Sequence, residues 1–568
     1  MDVSRAMPVA DGVAALTAPG QPFELVERQV GAVCCRVFKN APHALGQLYA
    51  AAAAHGEREF IVGEGARLSY AGFFAQAAAL AADCAAHGIA RGTHVAILMR
   101  NRPEWMLSFV ALTALGAVPV LVNSRGSADE IGHSLRATAC RYVLADAQRA
   151  VLLAPAGLGS LDGLVLDERP GALRHWREFA AALAAGAGAP LPQVPCDAED
   201  PALIMFTSGT TGRPKAAVLH HLGVLTALMA NQLSAAVLGA RLAAQAGIDL
   251  ATLARHAPQP CTLLVFPLFH TSGCLSVFLA NLARGGKIVL LPRWSARAAL
   301  QLVAEERVTS IPAVPAMLWD LLNEPTRSSF DTASLVNLGT GGQGMPANLL
   351  QAIRAAYPRA VLGTGYGMTE TNGMVSLLMG AEYLQHPESA GRPLPTAEIR
   401  IVDEGGRTVA DGASGEVCIR SAQNMHGYWQ DAAADAERVR DGWLHSGDIG
   451  RLDAAGLLHI VGRRTDMVIC GGENIYCAEV ERVLLQHPGV LEAVTLGLPD
   501  ARLGERLAAV IVARAGSALS ATELAQFCGA QLADYKLPRE WRFESGPLER
   551  NATGKALKER LRTRVFGH

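Results

Sequence analysis

Short apolar runs alternate with helical patterns along most of the chain. Residues 95–99, 141–145 and 163–166 form runs of four or five mostly apolar residues, which is typical of buried strands. Residues 50–54 and 74–84 have helical patterns. Alternation of short apolar strands with helices predicts a layered α/β fold with mostly parallel sheets.

The same alternation continues through the middle of the chain and then changes. Residues 222–260 are rich in Ala and Leu and predict helix, whereas 263–266, 288–291 and 360–362 predict strands. Around 396–420 apolar and polar residues alternate one by one. This period of two predicts a small antiparallel, barrel-like β piece.

Three segments follow from these patterns. Residues 1–30 are rich in Ala, Gly and Pro and weakly patterned, so we expect a loose N-terminal arm. Residues 31–464 form the large α/β domain. Residues 465–568 carry helix and strand patterns of their own and predict a small α+β C-terminal domain.

Composition supports several folded domains. Of the 568 residues 50% are hydrophobic and 18% are charged, which suits large cores and excludes a disordered chain. The net charge is −2, and Lys and Arg are scattered. No nucleic-acid partner is therefore expected.

Cysteine usage and hydropathy bear on the compartment. The 11 cysteines lack paired C-x-x-C spacing, which argues against a zinc site or a disulfide framework and fits a reducing cytoplasm. No signal peptide is evident at the N-terminus. The longest apolar stretch, 106–122, is interrupted by polar residues and falls short of the roughly 20 residues of a spanning helix. We expect a cytoplasmic protein without an integral membrane segment.

The segment 206–215 is a loop rich in hydroxyls and glycine that follows an apolar strand. Glycines let the backbone approach a polyphosphate, while N–H groups, hydroxyls and a lysine bind its oxygens. The spacing differs from the Walker A pattern. A solvated turn is the alternative. The candidate phosphate-binding residues are Thr207, Ser208, Gly209, Thr210, Thr211, Gly212 and Lys215.

Further motifs follow in a recognisable order. They are 267–273 (PLFHTSG), 339–344 (GTGGQG), 363–370 (GTGYGMTE), 442–448 (GWLHSGD), 462–474 (GRRTDMVICGGEN) and 548–555 (LERNATGK). With the loop they give the chain, from about residue 40 to 563, a resemblance to the adenylate-forming (AMP-binding) superfamily. Its members are acyl-CoA synthetases, aryl-CoA ligases, firefly-type luciferases and the adenylation domains of peptide synthetases.

The resemblance implies roles in binding ATP. Tyr366 would stack on adenine, Thr369 would contact the α-phosphate, and Glu370 would hold Mg²⁺, a hard cation that prefers oxygen ligands. Asp448 would accept both ribose hydroxyls, because a carboxylate only accepts hydrogen bonds. The remaining nucleotide-binding residues that it implies are Gly342, Gln343, Gly365, Gly367 and Arg463.

The resemblance also implies a catalytic lysine on a mobile C-terminal domain. Lys555 would bridge the substrate carboxylate and the α-phosphate. The domain would pivot at Thr465, where the family usually has Asp or Lys, so the energetics of this hinge stay open. After the pivot Gly471, Gly472 and Glu473 would line the coenzyme A (CoA) tunnel.

The acid would bind beside two of these motifs. The resemblance places His270 next to the substrate carboxylate and Gly341 in the wall of the acyl pocket. A lone histidine is otherwise more often a satisfied core residue.

The implied reaction has two steps, with ATP, Mg²⁺ and CoA as cofactors or co-substrates. A carboxylate attacks ATP to give an acyl-adenylate and pyrophosphate, and a thiol then releases AMP. A hydrophobic, fatty acid is the favoured substrate, and an aryl acid is the closest rival. Loading of a separate carrier protein, a non-catalytic nucleotide sensor and assembly as a homodimer stay open as alternatives.

Overall fold

The computed structural model describes residues 9–63, 65–167, 171–173, 175–207, 214–340, 344–471, 473–514, 516–551 and 554–567. Predicted positions 208–212, 341–343 and 472 lie outside these ranges. Two large sheets of parallel core strands dominate the N-terminal part, and two smaller sheets follow along the chain.

The first large sheet has eight strands. Its inner strands are parallel, and antiparallel pairing begins where 201–207 meets 215–220. In spatial order the strands are Gly427–Tyr428, Lys215–His220, Pro201–Thr207, Val118–Leu121, His94–Leu98, Tyr142–Asp146, Asp162–Leu166 and Arg177–Glu178.

The second large sheet has nine strands and is also parallel at its centre. Its edge strands 373–379, 392–393 and 66–69 run antiparallel to their neighbours. In spatial order the strands are Arg392–Pro393, Gly373–Met379, Val361–Met368, Asn337–Thr340, Ser310–Ala313, Cys261–Leu264, Lys287–Leu290, Glu59–Gly63 and Ala66–Ser69.

The other strands of the described residues form three smaller sheets. An N-terminal hairpin pairs Leu25–Val30 with Val33–Phe38. An antiparallel sheet contains Ala397–Val402, Gly415–Ser421, Trp443–Leu452, Val439–Arg440 and Leu458–Arg463. The C-terminal sheet contains Glu473–Tyr476, Met467–Cys470, Gly504–Ala513, Val490–Asp500 and Glu540–Glu544.

Helices cover both faces of the large sheets. In the described residues the α-helices are Val9–Thr17, Leu45–Ala53, Tyr70–Ala86, Pro103–Ala114, Ala128–Ala137, Ala147–Ala150, Phe179–Ala185, His221–Ala246, Leu250–His256, Thr271–Gly273, Ala280–Arg284, Ala296–Glu306, Pro315–Asn323, Ala347–Ala356, Gly380–Gln385, Ala432–Arg438, Cys477–Leu484, Ala521–Gly529 and Lys558–Leu561. Cys274–Leu279 and Arg562–Phe566 are π-helical. The segment 271–284 is therefore one helical stretch with a wider turn in its middle.

The hydrophobic core has layers because strand residues alternate between two faces. Val95 and Ile97 belong to the main core cluster, together with helix 103–114 and helix 221–246. Their neighbour Ala96 packs on the opposite face of the first sheet. The outer face of the second sheet has a separate cluster. The predicted α/β fold, a large sheet-based N-terminal domain followed by a smaller C-terminal one, is confirmed.

The expected loose arm is wrong for residues 9–30. This segment contains the helix Val9–Thr17 and the strand Leu25–Val30. Val13, Leu16 and Phe23 pack against the main core. The burial of these side chains depends on partners that are distant in the sequence, so the local pattern did not reveal the helix.

One described helix, His221–Ala246, is long and apolar enough to cross a membrane by length and composition alone. Within this helix, 61% of the most apolar 18-residue window is buried inside the protein. The ring nitrogen Nδ1 of His220 accepts the Gly223 N–H at its start (3.0 Å), and Gly247 ends it at φ 69°, a conformation that favours glycine. Its many buried residues are those of a helix between two sheets.

Candidate active site

One cavity of about 570 Å³ collects residues from distant parts of the chain. It lies where parallel strands 201–207, 337–340 and 361–368 end, the position at which α/β sheets usually bind ligands. Of the predicted site residues, those that line it are Thr207, Lys215, His270, Gly365, Gly367, Thr369, Glu370, Arg463 and Lys555.

Glu370 is held by two side chains that the sequence analysis did not identify. Its Oε1 accepts a hydrogen bond from the Tyr428 hydroxyl (2.8 Å), and Arg438 Nη2 lies 3.8 Å from the same oxygen. The glutamate is 5% exposed. Among the described residues no hydrogen bond engages Oε2. A single carboxylate with a free oxygen beside a phosphate site fits magnesium, which usually takes one or two carboxylates plus substrate phosphates.

The Asp448 carboxylate contacts side chains on two other strands, Tyr366 and Arg463. Its Oδ2 accepts a hydrogen bond from the Tyr366 hydroxyl (2.7 Å), and its Oδ1 lies 3.0 Å from Nε of Arg463. Asp448 and Arg463 face each other across antiparallel strands 443–452 and 458–463. Burial raises the pKa of Tyr366, so the phenol stays protonated as a donor. Neither Tyr366 nor Asp448 lines the cavity itself.

Glu416 positions the turn that precedes Asp448. It accepts the Gly447 N–H at 3.0 Å through Oε1 and contacts Nδ1 of His445 at 3.0 Å through Oε2. Cys418 Sγ lies 3.4 Å from the same His445 nitrogen. These contacts fix the strand 443–452, because each partner lies on a neighbouring strand of the antiparallel sheet.

His270 presents an imidazole nitrogen without a protein partner. Nε2 is buried, and within the described ranges it forms no hydrogen bond. Burial and the positive charges of Arg125 and Lys555 lower the pKa of His270 to about 4, so the ring is neutral at pH 7. Thr340 Oγ1, also at the cavity, likewise has no partner in the part of the chain that is described. Buried polar groups of this kind normally have a partner, which a bound acid would supply.

Lys555 reaches the cavity from the C-terminal part of the chain. Its backbone N–H donates to Asn551 Oδ1 (2.9 Å), and the Asn551 N–H donates to the Lys555 carbonyl (2.8 Å). Burial and the charge of Arg463 lower the pKa of Lys555, whereas Asp448, Asp466 and Glu370 oppose that shift. Thr465, the expected hinge, also lines the cavity.

The expected CoA-binding positions lie elsewhere. Gly471 and Glu473 are exposed at the turn between strands 467–470 and 473–476, and neither lines the cavity. The structure therefore brings the lysine, but not this hairpin, to the cavity.

The rest of the cavity extends along the second sheet. Strand residues Pro312, Gly339 and Gly363 face it, whereas their neighbours Ile311 and Leu338 face the outer core. A Cβ on Gly339 would meet only Asn337 Oδ1, at 3.9 Å. The lack of a side chain at Gly339 therefore leaves room for a substrate. Apolar groups on the other sides are Phe206, Leu238, Phe266, Met374, Leu377 and Met379.

Sequence reasoning missed Tyr428, Arg438 and Arg125. Tyr428 lies 58 residues from its partner Glu370. No local sequence pattern marks it. Only the pairing of strand 427–428 with 215–220 brings it to the site.

Family models match most of the chain. The model "AMP-binding enzyme" covers residues 48–429, and "AMP-binding enzyme C-terminal domain" covers residues 479–555. The chain therefore belongs to the AMP-binding enzyme family, and the resemblance seen in its sequence is confirmed.

Characterised relatives and a solved structure agree with this assignment. The chain is 35% identical over 503 residues to a feruloyl-CoA synthase from Amycolatopsis sp., covering 89% of this chain and 95% of the relative. It is 34% identical over 501 residues to the long-chain-fatty-acid–CoA ligase FadD13 of Mycobacterium tuberculosis, covering 86% and 92%. The o-succinylbenzoate CoA synthetase of Bacillus subtilis, solved with the acyl-adenylate intermediate OSB-AMP, superposes with a TM-score of 0.74 at 29% identity, covering 91% and 97%.

Proposed function

We propose that this protein is an ATP-dependent acid–thiol ligase. It activates a hydrophobic carboxylic acid as acyl-AMP and transfers the acyl group to CoA, releasing AMP and pyrophosphate. The observation that carries the proposal is the shared cavity: Lys555, Glu370 and His270 come from three distant segments and line one space. Relatives named as CoA ligases of fatty and aryl acids support the reaction class.

In the first step a substrate carboxylate oxygen attacks the α-phosphorus of ATP, and the bond to the pyrophosphate oxygen breaks. Lys555 binds the carboxylate and the α-phosphate and offsets the negative charge that develops at phosphorus. Neutral His270 donates through Nε2 to the substrate carboxylate and orients it. Lys215 and the Thr207 hydroxyl bind the phosphates. Glu370 would hold a magnesium ion, which would neutralise further phosphate charge.

Asp448 and Arg463 hold the nucleotide at its ribose. The carboxylate accepts the two ribose hydroxyls, for which its contact with the Tyr366 hydroxyl must shift or be shared. Tyr366 then stacks its ring on adenine. This movement is local, because the phenol and the carboxylate are already in contact.

In the second step the thiol of CoA attacks the acyl carbon, the acyl–phosphate bond breaks, AMP leaves and the thiol proton passes to solvent. Lys555 blocks the path to the acyl carbon during the first step. The C-terminal domain therefore turns at Thr465, withdraws Lys555 and brings the hairpin with Gly471 and Glu473 to the cavity. Such domain movements commonly limit turnover.

Pyrophosphate release tests the proposal directly. The purified protein is supplied with ATP, Mg²⁺ and acids from acetate to palmitate, together with benzoates and cinnamates, each with and without CoA. We expect pyrophosphate release with at least one hydrophobic acid and AMP turnover that requires CoA. Absence of pyrophosphate release with every acid would contradict the proposal, and acyl-adenylate formation without AMP release on addition of CoA would instead indicate a carrier-protein acceptor.

An aryl acid is the second candidate substrate. Phe206 and Phe266 both line the cavity and offer faces on which an aromatic ring can pack. The same screen separates the two candidates, because the preferred acid shows the highest kcat/KM. We place the enzyme in the cytoplasm, where its 11 free cysteines stay reduced.

A further inference from the structure

A guanidinium lines the cavity beside two buried side chains. Arg284 ends the helix Ala280–Arg284 and contributes to the cavity wall. Its contacts Thr262 and Asn281 are 3% and 0% exposed. Arg284 itself is exposed. Since Arg284 lines the cavity, part of the surface that it exposes faces that space.

Arg284 has only neutral partners. Nη2 donates to Asn281 Oδ1 at 2.9 Å and approaches Thr262 Oγ1 at 3.4 Å. Across the described ranges no carboxylate forms an ion pair with it, whereas the nearby Lys287 pairs with both Glu59 and Glu306. Burial lowers the pKa of Arg284, yet a guanidinium remains charged at neutral pH. A cation that lines a cavity and has no carboxylate partner in the described residues can bind an anionic group of a ligand.

Arg284 lies at the end of the cavity remote from the reacting groups. His270 immediately precedes the helical stretch 271–284, and Arg284 is its last residue. The pairing of strands in the second large sheet also places Arg284 at this remote end. Thr262, which Arg284 approaches, pairs with Ser310, and Ser310 pairs with Asn337 at the start of its strand.

The strand register also gives the distance between two residues that line the cavity. Thr340, beside the reacting end, lies three residues beyond Asn337, a distance of about 10 Å at roughly 3.3 Å per residue. Apolar side chains, among them Leu238, Phe266 and Leu377, also line the cavity. Polar side chains that face it are Asn231 and Ser234 on helix 221–246, Ser276 and Asn337.

We propose that the substrate is a dicarboxylic acid with an apolar middle, and that Arg284 binds its second carboxylate. The inference rests on the proposed ligase function and deepens it. A planar guanidinium presents paired N–H donors that match a carboxylate. Arg284 thereby selects an acid by the charge at its far end, while His270 and Lys555 engage the carboxylate that reacts.

The test compares acids of equal length with wild-type protein and variants. Pyrophosphate release is measured for saturated α,ω-dicarboxylic acids of four to fourteen carbons and for the monocarboxylic acids of the same length. We expect wild type to have a higher kcat/KM for the diacid at its preferred length. Arg284→Gln lowers kcat/KM for that diacid about 10- to 100-fold, the worth of a charged hydrogen-bonding pair, and leaves the monoacid within about threefold.

Two controls separate binding from a structural role. Arg284→Lys keeps the charge and retains part of the preference for the diacid. Arg297→Gln removes an exposed arginine from helix 296–306 and leaves kcat/KM unchanged for both acids. Thermal melting checks that each variant folds, and the wild-type comparison needs no variant.

The outcomes distinguish this inference from the ligase function. Turnover of monoacids with no advantage for any diacid overturns the role of Arg284 and leaves the ligase function intact. An equal loss for both acids in Arg284→Gln also overturns it, because that result indicates a purely structural arginine. Failure of every acid would overturn the ligase function itself, and this inference with it.

Discussion

Replacement of Lys555 by alanine should separate the two half-reactions. The change removes one ammonium group from a cavity where burial already disfavours charge, so its interaction with developing phosphate charge is poorly screened. Loss of one such electrostatic donor costs about 2.7–4 kcal/mol, or roughly 10²- to 10³-fold in rate. The loop should keep its shape, because its two hydrogen bonds with Asn551 use the backbone of residue 555.

Two assays measure the effect. ATP–pyrophosphate exchange reports acyl-adenylate formation, and thioester formation from a supplied acyl-adenylate reports transfer to CoA. Lys555→Ala should lower the rate of ATP–pyrophosphate exchange roughly 10²- to 10³-fold. It should change the rate of thioester formation by less than about tenfold.

A matched control is Lys536→Ala. It removes a lysine that pairs with Glu479 in the C-terminal part and does not line the cavity. Both of its rates should stay near wild type. Equal losses in the two half-reactions of Lys555→Ala would refute the assignment of this lysine to adenylation.

Two further substitutions test other parts of the site, and a pH series tests the effect of burial on stability. Glu370→Gln should lower adenylation about 10²-fold and raise the magnesium concentration needed for half-maximal rate, and an unchanged magnesium titration would contradict its role. Gly339→Val adds atoms where a Cβ meets only one neighbour, so the best acid should become shorter while the melting temperature holds; an unchanged preference would place the acid elsewhere. Burial lowers the pKa of His220 and of His221 to about 4, so the unfolded chain binds protons first as pH falls. The free energy of unfolding should therefore be highest above about pH 6.5 and decrease towards pH 4, and a flat urea-unfolding series would contradict this.

Local patterns determined much of what was predicted for this chain. Apolar runs such as 95–99 and 263–266 became buried strands, and the Ala/Leu-rich stretch from 222 became the helix His221–Ala246. These elements follow from side-chain periodicity, which is a property of neighbouring residues. The composition of the loop around Lys215 already indicates phosphate binding, whereas the roles of Glu370 and Lys555 were implied by the resemblance of their motifs to the family.

The tertiary structure decided which of these groups meet and what surrounds them. Tyr428 touches Glu370 across 58 residues of chain, and the helix Val9–Thr17 belongs to a segment whose side chains Val13, Leu16 and Phe23 pack on the main core. Arg284 is one of many arginines in the sequence. Its importance comes from a cavity built by a helix and strands far apart in the chain. No sequence spacing encodes such contacts, because they depend on how sheets and helices pack, and the desolvation that changes the pKa of His270 and Lys555 arises only from that packing.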